Sequence, residues 1–393
     1  MIKMRTLASV LAVSAVTLLA GGTYAQDAKP IMIGAAIAQS GFIAAYDADP
    51  AKAAEMAIKD LNAAGGVLRR PLKMVYADTK SDIARGAAAA MEVMDQGADL
   101  LIVTGDFDFG GGAARAANGQ RKIAIAPFAA DPKFGVQGIG PYAFTFSTAT
   151  PTVGAVLAEF AASKGWKTAY VLLQTNIQYD KSVSAAFQTR FKELNGANGI
   201  VGTDTFSMDD ASIATHITRI KAMNPQPDAL LLSSFAPAGP GALRQLRAAG
   251  LTMPVLSAED MDGDYWAESV PNLSNFFYAA MGSVFGDDPR PEVNKFIADF
   301  KAKTGAHPST AHTLTGYSVI QAIKIAAERA GSVDSDALKA EFEKFKDVPL
   351  LVGPTSFDAQ THINFLRPMV ILTVENGKHS AVELHTPVKV PGH

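Results

Sequence analysis

The sequence predicts an α/β protein with two doubly wound halves, each a mostly parallel sheet covered by helices. Strand-like and helix-like segments alternate along most of the chain, and such alternation builds parallel βαβ units. The alternation starts afresh at Thr150-Pro151, so that region 27–147 and region 148–275 each form one half. The 393 residues are 48% hydrophobic, which is ample for two cores of ordinary domain size.

Element signals follow one another closely in the first half. Asp49 is the expected N-cap, and Pro50 the expected first residue, of a helix that ends at Gly65-Gly66. The stretch TGDFDFGGGAARAA predicts a glycine-rich turn and then a helix to about Gly119. The predicted strands are IMIGAAIA, PLKMVYAD, ADLLIVTG and KIAIAPF, and the remaining helix is SDIARGAAAAMEVMDQ.

The second half repeats this alternation, and the last third departs from it. Predicted strands TAYVLLQ, IVGTDTFS, DALLLSSF and MPVLSA are separated by helices. Helices are then expected around 291–304, 311–330 and 335–346, followed by a hairpin through MVILTVENGKH. Ligands of open α/β sheets bind beyond the carboxyl ends of the strands. The turns that could hold a ligand are therefore 38–49, 104–110, 127–134, 174–181, 233–239 and 257–266.

Residues 1–25 have the pattern of a secretory signal peptide. Lys3 and Arg5 form a basic start, LASVLAVSAVTLLA is apolar, and TYA supplies small residues for cleavage. The apolar run is shorter than the roughly 20 residues that a membrane helix needs. We therefore expect an exported protein located in the periplasm.

Composition excludes several classes of function. Without cysteine the chain has no disulfide, thiolate metal site or cysteine nucleophile. The net charge of −3, about −5 once the two basic residues of the signal peptide are removed, favours neither nucleic acid nor a membrane surface. Hydrolase elbows, phosphate loops and zinc-protease spacings are absent from the sequence. We expect no catalytic residue and no cofactor.

The acidic run AEDMDGDYWAE offers Asp260, Asp262 and Asp264 at alternating positions. A hard cation such as calcium or a larger trivalent ion is one interpretation. A calcium loop, however, needs glycine at its sixth position, whereas Gly263 is at the fourth. A solvated acidic turn is the stronger interpretation, and metal binding stays a minor alternative.

Several motifs resemble the branched-chain amino-acid type of periplasmic solute-binding protein for ABC importers. They are the Ser40-Gly41 turn, a tyrosine before the first helix, the helix end E-x-A-I-x-D-x-N-A-A-G-G, LRQLRAAGL and KDVPLLVGPTSFD. The resemblance covers essentially the whole mature chain. It implies the type I periplasmic binding protein fold, with two Rossmann-like lobes, a three-crossing hinge and a ligand trapped by closure. The implied limits are 26–147 plus 279–354 for lobe 1, and 148–278 plus 355–393 for lobe 2.

The resemblance also implies ligand contacts from both lobes. In lobe 1, Tyr46 is a cleft aromatic residue, and PFAA, with Phe128 and Ala129, matches a clamp that has lost its hydroxyl. The family has small hydroxyl-bearing residues after the third strand, where this chain has Phe107, Asp108 and Phe109.

Lobe 2 contributes three further matching positions. Tyr179 matches a cleft tyrosine, although Asp180 replaces the glycine that usually follows it. Phe235 occupies another aromatic position, and Glu259 matches the acid that pairs with a ligand amino group.

These contacts predict an unusual ligand for such a protein. Asp108 in place of serine disfavours a free carboxylate, because like charges repel strongly in a desolvated cleft. We therefore expect an amine-, hydroxyl- or aromatic-bearing solute rather than a simple aliphatic amino acid. Alternatively, Asp106 or Asp108 caps the helix that begins near Gly110, and the ligand is a branched-chain or other amino acid.

The expected partner is an ABC permease in the inner membrane, to which a monomeric binding protein delivers its solute. An exported ligand sensor with the same fold is the alternative, since fold alone does not separate transport from sensing.

Overall fold

Two sheets organise the chain, and the predicted alternation of strands and helices is found around both. The computed structural model describes residues 29–393. The predicted signal peptide, residues 1–25, therefore lies outside the described residues. Among the residues that are described, no helix is both long enough and apolar enough to cross a bilayer.

The first lobe is built on a five-stranded parallel sheet with the order β2-β1-β3-β4-β5. All four residues of its central strand are buried, as expected for a parallel strand covered on both faces. The strands are β1 (Ile31–Ile37), β2 (Leu72–Asp78), β3 (Leu100–Val103), β4 (Ala124–Ala126) and β5 (Ala143–Thr145), and the helices are α1 (Ala44–Ala63), α2 (Gly86–Asp95) and α3 (Phe107–Gly119).

The second lobe is built on a seven-stranded mixed sheet with the order β14-β13-β10-β9-β8-β6-β7. Its last two strands are a hairpin that pairs antiparallel with the otherwise parallel sheet. The strands are β6 (Ala169–Gln174), β7 (Ile200–Phe206), β8 (Ala229–Ser233), β9 (Val255–Ser257), β10 (Phe276–Ala280), β13 (Met369–Glu375) and β14 (Lys378–His385), and the helices are α4 (Thr150–Ser163), α5 (Gln178–Asn195), α6 (Ala214–Lys221) and α7 (Ala238–Ala248).

The segment between β10 and β13 returns to the first lobe, where α9 packs along α1. The approach is close at Gly316, where a Cβ atom would lie 2.1 Å from the Pro50 carbonyl oxygen. This segment contains α8 (Pro291–Thr304), α9 (His312–Ala330), α10 (Ser335–Phe342) and a small hairpin of β11 (Val348–Leu350) and β12 (Gly353–Thr355).

The chain passes between the lobes after β5, after β10 and after β12. The predicted limit at 147/148 falls between β5 and α4. The predicted limit at 354/355 falls between the last two residues of β12. The limit at 278/279 falls inside β10, which pairs with β13 through Ala280. The precise lobe limits stay a prediction.

Two predicted helix starts were wrong. Helix α1 begins at Ala44, with Pro50 inside it, because its first turn is pinned by Asp47, whose carboxylate accepts hydrogen bonds from the backbone N–H groups of Ala38 and Gly105. Helix α3 begins at Phe107, so the three glycines lie within the helix and not in a turn before it.

The glycines of α3 serve close packing. A Cβ atom on Gly110 would lie 2.1 Å from the carbonyl oxygen of Thr104, so only glycine lets the helix fold back against the end of β3.

Candidate functional site

A cavity lies between the lobes, beyond the carboxyl ends of the strands of both sheets. The first lobe contributes residues from α1, from the turns after β3 and β4, and from the start of α9. The second lobe contributes residues from the turns after β6, β8 and β9. The lining residues are Ile43, Tyr46, Gly105, Asp106, Phe128, Ala130, Ile177, Tyr179, Phe235, Glu259, Asp260 and His312.

The structure brings together five of the nine predicted contact residues. These are Tyr46, Phe128, Tyr179, Phe235 and Glu259. It places the other four outside the cavity lining, namely Phe107, Asp108, Phe109 and Ala129. The arrangement of this cavity therefore does not support the prediction that these four residues contact the ligand.

In the turn after β3, the aspartate carboxylates accept hydrogen bonds from backbone N–H groups. Asp106 is the N-cap of α3, and its carboxylate accepts from the N–H groups of Asp108 at 2.8 Å and Phe109 at 3.0 Å. Asp108 accepts from the backbone N–H of Gln178, in the second lobe, at 2.7 Å. Of the two aspartates, Asp106 is therefore the helix cap, and Asp108 joins the two lobes.

The remaining residues of this turn pack on the protein itself. Phe107 lies under the guanidinium of Arg115, 5.5 Å from the ring centroid. Phe109 meets Phe42 edge to face at 5.5 Å. Ala129 is buried, and its carbonyl accepts from the Thr145 hydroxyl at 2.7 Å.

Aromatic rings form one side of the cavity. Phe128 stacks on the imidazole of His312, with centroids 4.2 Å apart and planes inclined by 11°. Tyr46 lies 6.1 Å from the same imidazole, and its hydroxyl donates across the cleft to the carbonyl of Asp260 at 3.0 Å. Burial lowers the pKa of His312 to about 4, so this ring is neutral at neutral pH.

Rings of the second lobe complete the enclosure. The Tyr179 hydroxyl accepts from the backbone N–H of Glu259 at 3.2 Å, which holds the turn after β9 against α5. Phe235 stacks across the cleft on Phe42 at 6.1 Å. Phe42 itself remains partly exposed and is not among the lining residues.

Glu259 is the main polar feature of the cavity. Its side chain is 2% exposed, and neither carboxylate oxygen has a hydrogen-bond partner within residues 29–393. The nearest base is the neutral imidazole of His312, 3.9 Å from Oε2. Burial raises the pKa of Glu259 to about 8, a rise opposed by the charge of Arg367. An ionised Glu259 carboxylate therefore destabilises the folded protein unless a positively charged group or a hydrogen-bond donor pairs with it.

Two aspartates near Glu259 are buried, against the prediction that they are solvated. Asp260 is 6% exposed and Asp262 is fully buried, whereas Asp264 reaches solvent. Asp262 accepts from the backbone N–H of Ala311, at the start of α9, at 2.6 Å. The first lobe covers this turn, and the sequence of the turn alone gives no sign of that cover.

Asp260 pairs with Asp180, which is fully buried. Burial and the neighbouring carboxylate raise the pKa of Asp180 well above its usual range, and burial raises the pKa of Asp260 to about 6. Because the pKa of Asp180 is raised further than that of Asp260, Asp180 is the neutral member of the pair near neutral pH, and Asp260 carries the negative charge.

Sequence reasoning missed His312 and the cavity role of Asp260. No sequence signal identifies His312, because only the return of α9 to the first lobe brings it to the cleft. The sequence did carry one signal for Asp260's surroundings, because Asp180 stands where a glycine usually follows the cleft tyrosine, Tyr179.

The described residues contain no group of three or more histidine, aspartate or glutamate side chains placed to hold a metal ion. The three alternating aspartates of the turn after β9 have different surroundings. Asp260 pairs with Asp180, Asp262 accepts from the backbone N–H of Ala311, and Asp264 reaches solvent. The structure therefore gives no support to the minor metal alternative.

Comparisons with known proteins agree with this two-lobe architecture. A family model described as periplasmic binding protein matches residues 30–379. The chain belongs to this family. Leu/Ile/Val-binding protein from Citrobacter freundii is 25% identical over 341 residues, which are 86% of this chain and 88% of that protein. The predicted branched-chain amino-acid type is thereby confirmed, as is the type I fold.

Solved structures of periplasmic binding proteins share the fold of this chain. LivJ from Streptococcus pneumoniae, in complex with isoleucine, has a TM-score of 0.81 at 24% identity, over 91% of this chain and 100% of that one. A solute-binding protein from R. palustris, in complex with benzoate, has a TM-score of 0.76 at 17% identity, over 93% and 98%. The family match and these structures together show a periplasmic binding protein with the type I fold.

Proposed function

We propose that this periplasmic binding protein captures a small organic amine and delivers it to an ABC permease. The observation that carries the proposal is the Glu259 carboxylate, which is buried in the cavity wall with both oxygens unpartnered by the protein. An ammonium group supplies both the positive charge and the hydrogen-bond donors that this carboxylate needs.

The rest of the cavity suits a cation with an apolar body. Tyr46, Phe128, Tyr179 and Phe235 offer ring faces or edges, and a cation over a desolvated ring gains about 2 kcal/mol. One charge-assisted hydrogen bond contributes roughly 1.5–3 kcal/mol. A few such contacts, less the cost of ordering, reach the roughly −8 kcal/mol of a micromolar site.

A free carboxylate on the ligand is poorly matched by the same walls. No lysine or arginine is among the cavity-lining residues of the described chain. The backbone N–H of Gly105, which lines the cavity, already donates to Asp47 at 3.2 Å. Arg367, the cation near Glu259, donates to Phe146, Pro354 and Thr355 at the hinge. The proposed ligand therefore differs from isoleucine and benzoate, which LivJ and the R. palustris protein bind.

Delivery to a permease is the other part of the proposal. The family places the protein in the periplasm, and residues 1–25 are proposed to direct it there as a cleaved signal peptide. We propose that it acts as a monomer, which leaves both lobe faces free for the permease.

The test is a binding screen on protein that has been unfolded and refolded to strip bound solute. Primary and quaternary alkylamines, polyols, leucine, isoleucine, valine, benzoate and calcium are compared by thermal shift and then by calorimetry. A ligand at 100 times its dissociation constant stabilises by about 2.7 kcal/mol. We expect amines to stabilise the protein, and Glu259→Gln to abolish the effect.

Asp209→Asn is the matched control, because it removes one carboxylate charge from an exposed position of the second lobe. It is expected to bind amines like the unaltered protein. Stabilisation by leucine or benzoate without any response to amines would overturn the proposal and favour an amino-acid or carboxylate ligand.

A further inference from the structure

The cavity contains a second acidic centre besides Glu259. Asp260 lines the cavity, is 6% exposed, and has its Oδ2 unpartnered. Its neighbour Asp180 is fully buried, and among the described residues neither of its carboxylate oxygens has a hydrogen-bond partner. Of the two, Asp260 is the carboxyl that faces the cavity.

In the part of the chain that the structure describes, no lysine, arginine or histidine forms an ion pair with this second centre. The hydroxyl of Tyr46 donates to the backbone carbonyl of Asp260 and not to its carboxylate. The hydroxyl of Ser257 lies 3.5 Å from Asp260 Oδ1, at the limit of a hydrogen bond. His312, the one basic side chain in the lining, is neutral.

The third acid of the lining is different. Asp106 accepts two backbone hydrogen bonds at the start of α3, so the protein already supplies donors to its carboxylate. Two acidic centres with unpartnered oxygens in the cavity lining therefore remain among the described residues, Glu259 and the Asp180–Asp260 pair, and Glu259 and Asp260 are adjacent on the turn after β9.

We propose that the ligand carries two positively charged groups, one paired with Glu259 and the other with the Asp180–Asp260 pair. This inference rests on the proposed amine-binding function and names the substrate class of the same site, a small dication such as a short diamine. Each charged group then replaces the hydration that a buried carboxylate has lost.

Three ligands of equal length separate this inference from simple amine binding. They are 1-aminobutane, 4-amino-1-butanol and 1,4-diaminobutane, each titrated calorimetrically into the stripped protein. The corresponding two-, three- and five-carbon sets of monoamine, amino alcohol and diamine are added to allow for the spacing of the two centres. We expect the best diamine to bind roughly ten- to hundredfold more tightly than the monoamine and the amino alcohol of its own length.

Asp260→Asn keeps the shape of the side chain but removes the charge of the second centre. It is expected to erase the advantage of the diamine over the monoamine of its own length, and Asp209→Asn is expected to retain the advantage. If Asp260→Asn does not fold, the ligand comparison on the unaltered protein still decides the question.

A diamine that binds no more tightly than its matched monoamine would overturn the two-charge inference and leave amine binding intact. An amino alcohol that binds as tightly as the diamine would also overturn it, since the second centre would then take a neutral donor. A failure of every amine to bind would instead overturn the proposed function itself.

Discussion

Two acid-rich turns face each other across the cleft, and they use the same type of side chain in opposite ways. The turn after β3 satisfies its carboxylates with backbone N–H groups, through the cap at Asp106 and the bond from Gln178 to Asp108. The turn after β9 leaves Glu259 without a partner in the protein. The difference shows that the acid proposed to bind ligand and the structural acids differ in whether backbone donors approach them, and not in burial or sequence pattern.

The largest expected effect is on the pH dependence of ligand-free stability. Because the folded protein raises the pKa of Glu259 from 4.5 to about 8, the folded state binds more protons than the unfolded state between these values. The free energy of unfolding should therefore fall as the pH rises from 5 to 8, by about 1.4 kcal/mol per pH unit for this group alone.

Urea denaturation of the stripped protein at pH 5, 6.5 and 8 measures this slope. The raised pKa values of Asp47 and Asp106, about 6 and about 7, act in the same direction. Glu259→Gln should flatten the slope but not abolish it. Stability that stays level or rises across this window would contradict the unpaired state of Glu259.

Amine affinity offers the most direct comparison of the two turns. Glu259→Gln removes the charge that faces the ligand, so we expect about hundredfold weaker binding, or about 2.7 kcal/mol. Asp108→Asn keeps an acceptor for the N–H of Gln178, so we expect less than about fivefold weaker binding. Calorimetry at one pH measures both, and equal losses would show that the turn after β3 contacts the ligand after all.

The helix cap gives a smaller effect, and on stability instead of binding. Asp106→Ala leaves two N–H groups of α3 without their acceptor and should lower the free energy of unfolding by about 1 kcal/mol. Asp106→Asn retains a capping oxygen and should change it by much less. Urea denaturation of ligand-free protein distinguishes the two, and an equal loss in both variants would argue against the cap.

The smallest expected effect concerns Tyr265, which follows the turn after β9. Its hydroxyl donates to that of Tyr46 at 2.7 Å and so helps to orient a cavity ring, but its side chain is 38% exposed. Tyr265→Phe should weaken amine binding by about two- to threefold, because a partly solvated neutral hydrogen bond contributes little. A tenfold or greater loss by calorimetry would mean that Tyr265 itself belongs to the site.

The order of elements could be read from the sequence with few errors. Strand and helix periodicity is a local property, so both halves, the helices near 291–304 and 311–330, and the final hairpin were all correctly predicted. The errors came where distant contacts override a local signal. Pro50 predicted a helix start, yet α1 begins earlier because its first turn is held by Ala38 and Gly105 through Asp47.

The site was predictable only in part. Aromatic residues and one acid at strand ends already suggested a cleft for a donor-bearing solute, and five of them line the cavity. The role of Asp108 was not predictable, because its donor, Gln178, is 70 residues away and in the other lobe. The burial of Asp262 likewise depends on Ala311, which α9 brings back from the last third of the chain.

The sequence by itself thus determined the α/β class, the two lobes and the presence of acids at the ends of their strands. These follow from hydrophobic periodicity and turn residues, which act over a few neighbouring positions. Only the tertiary structure decided which carboxylates receive hydrogen bonds from the protein. That depends on which N–H groups the closed lobes bring within about 3 Å of each oxygen, and residues far apart in the chain supply them.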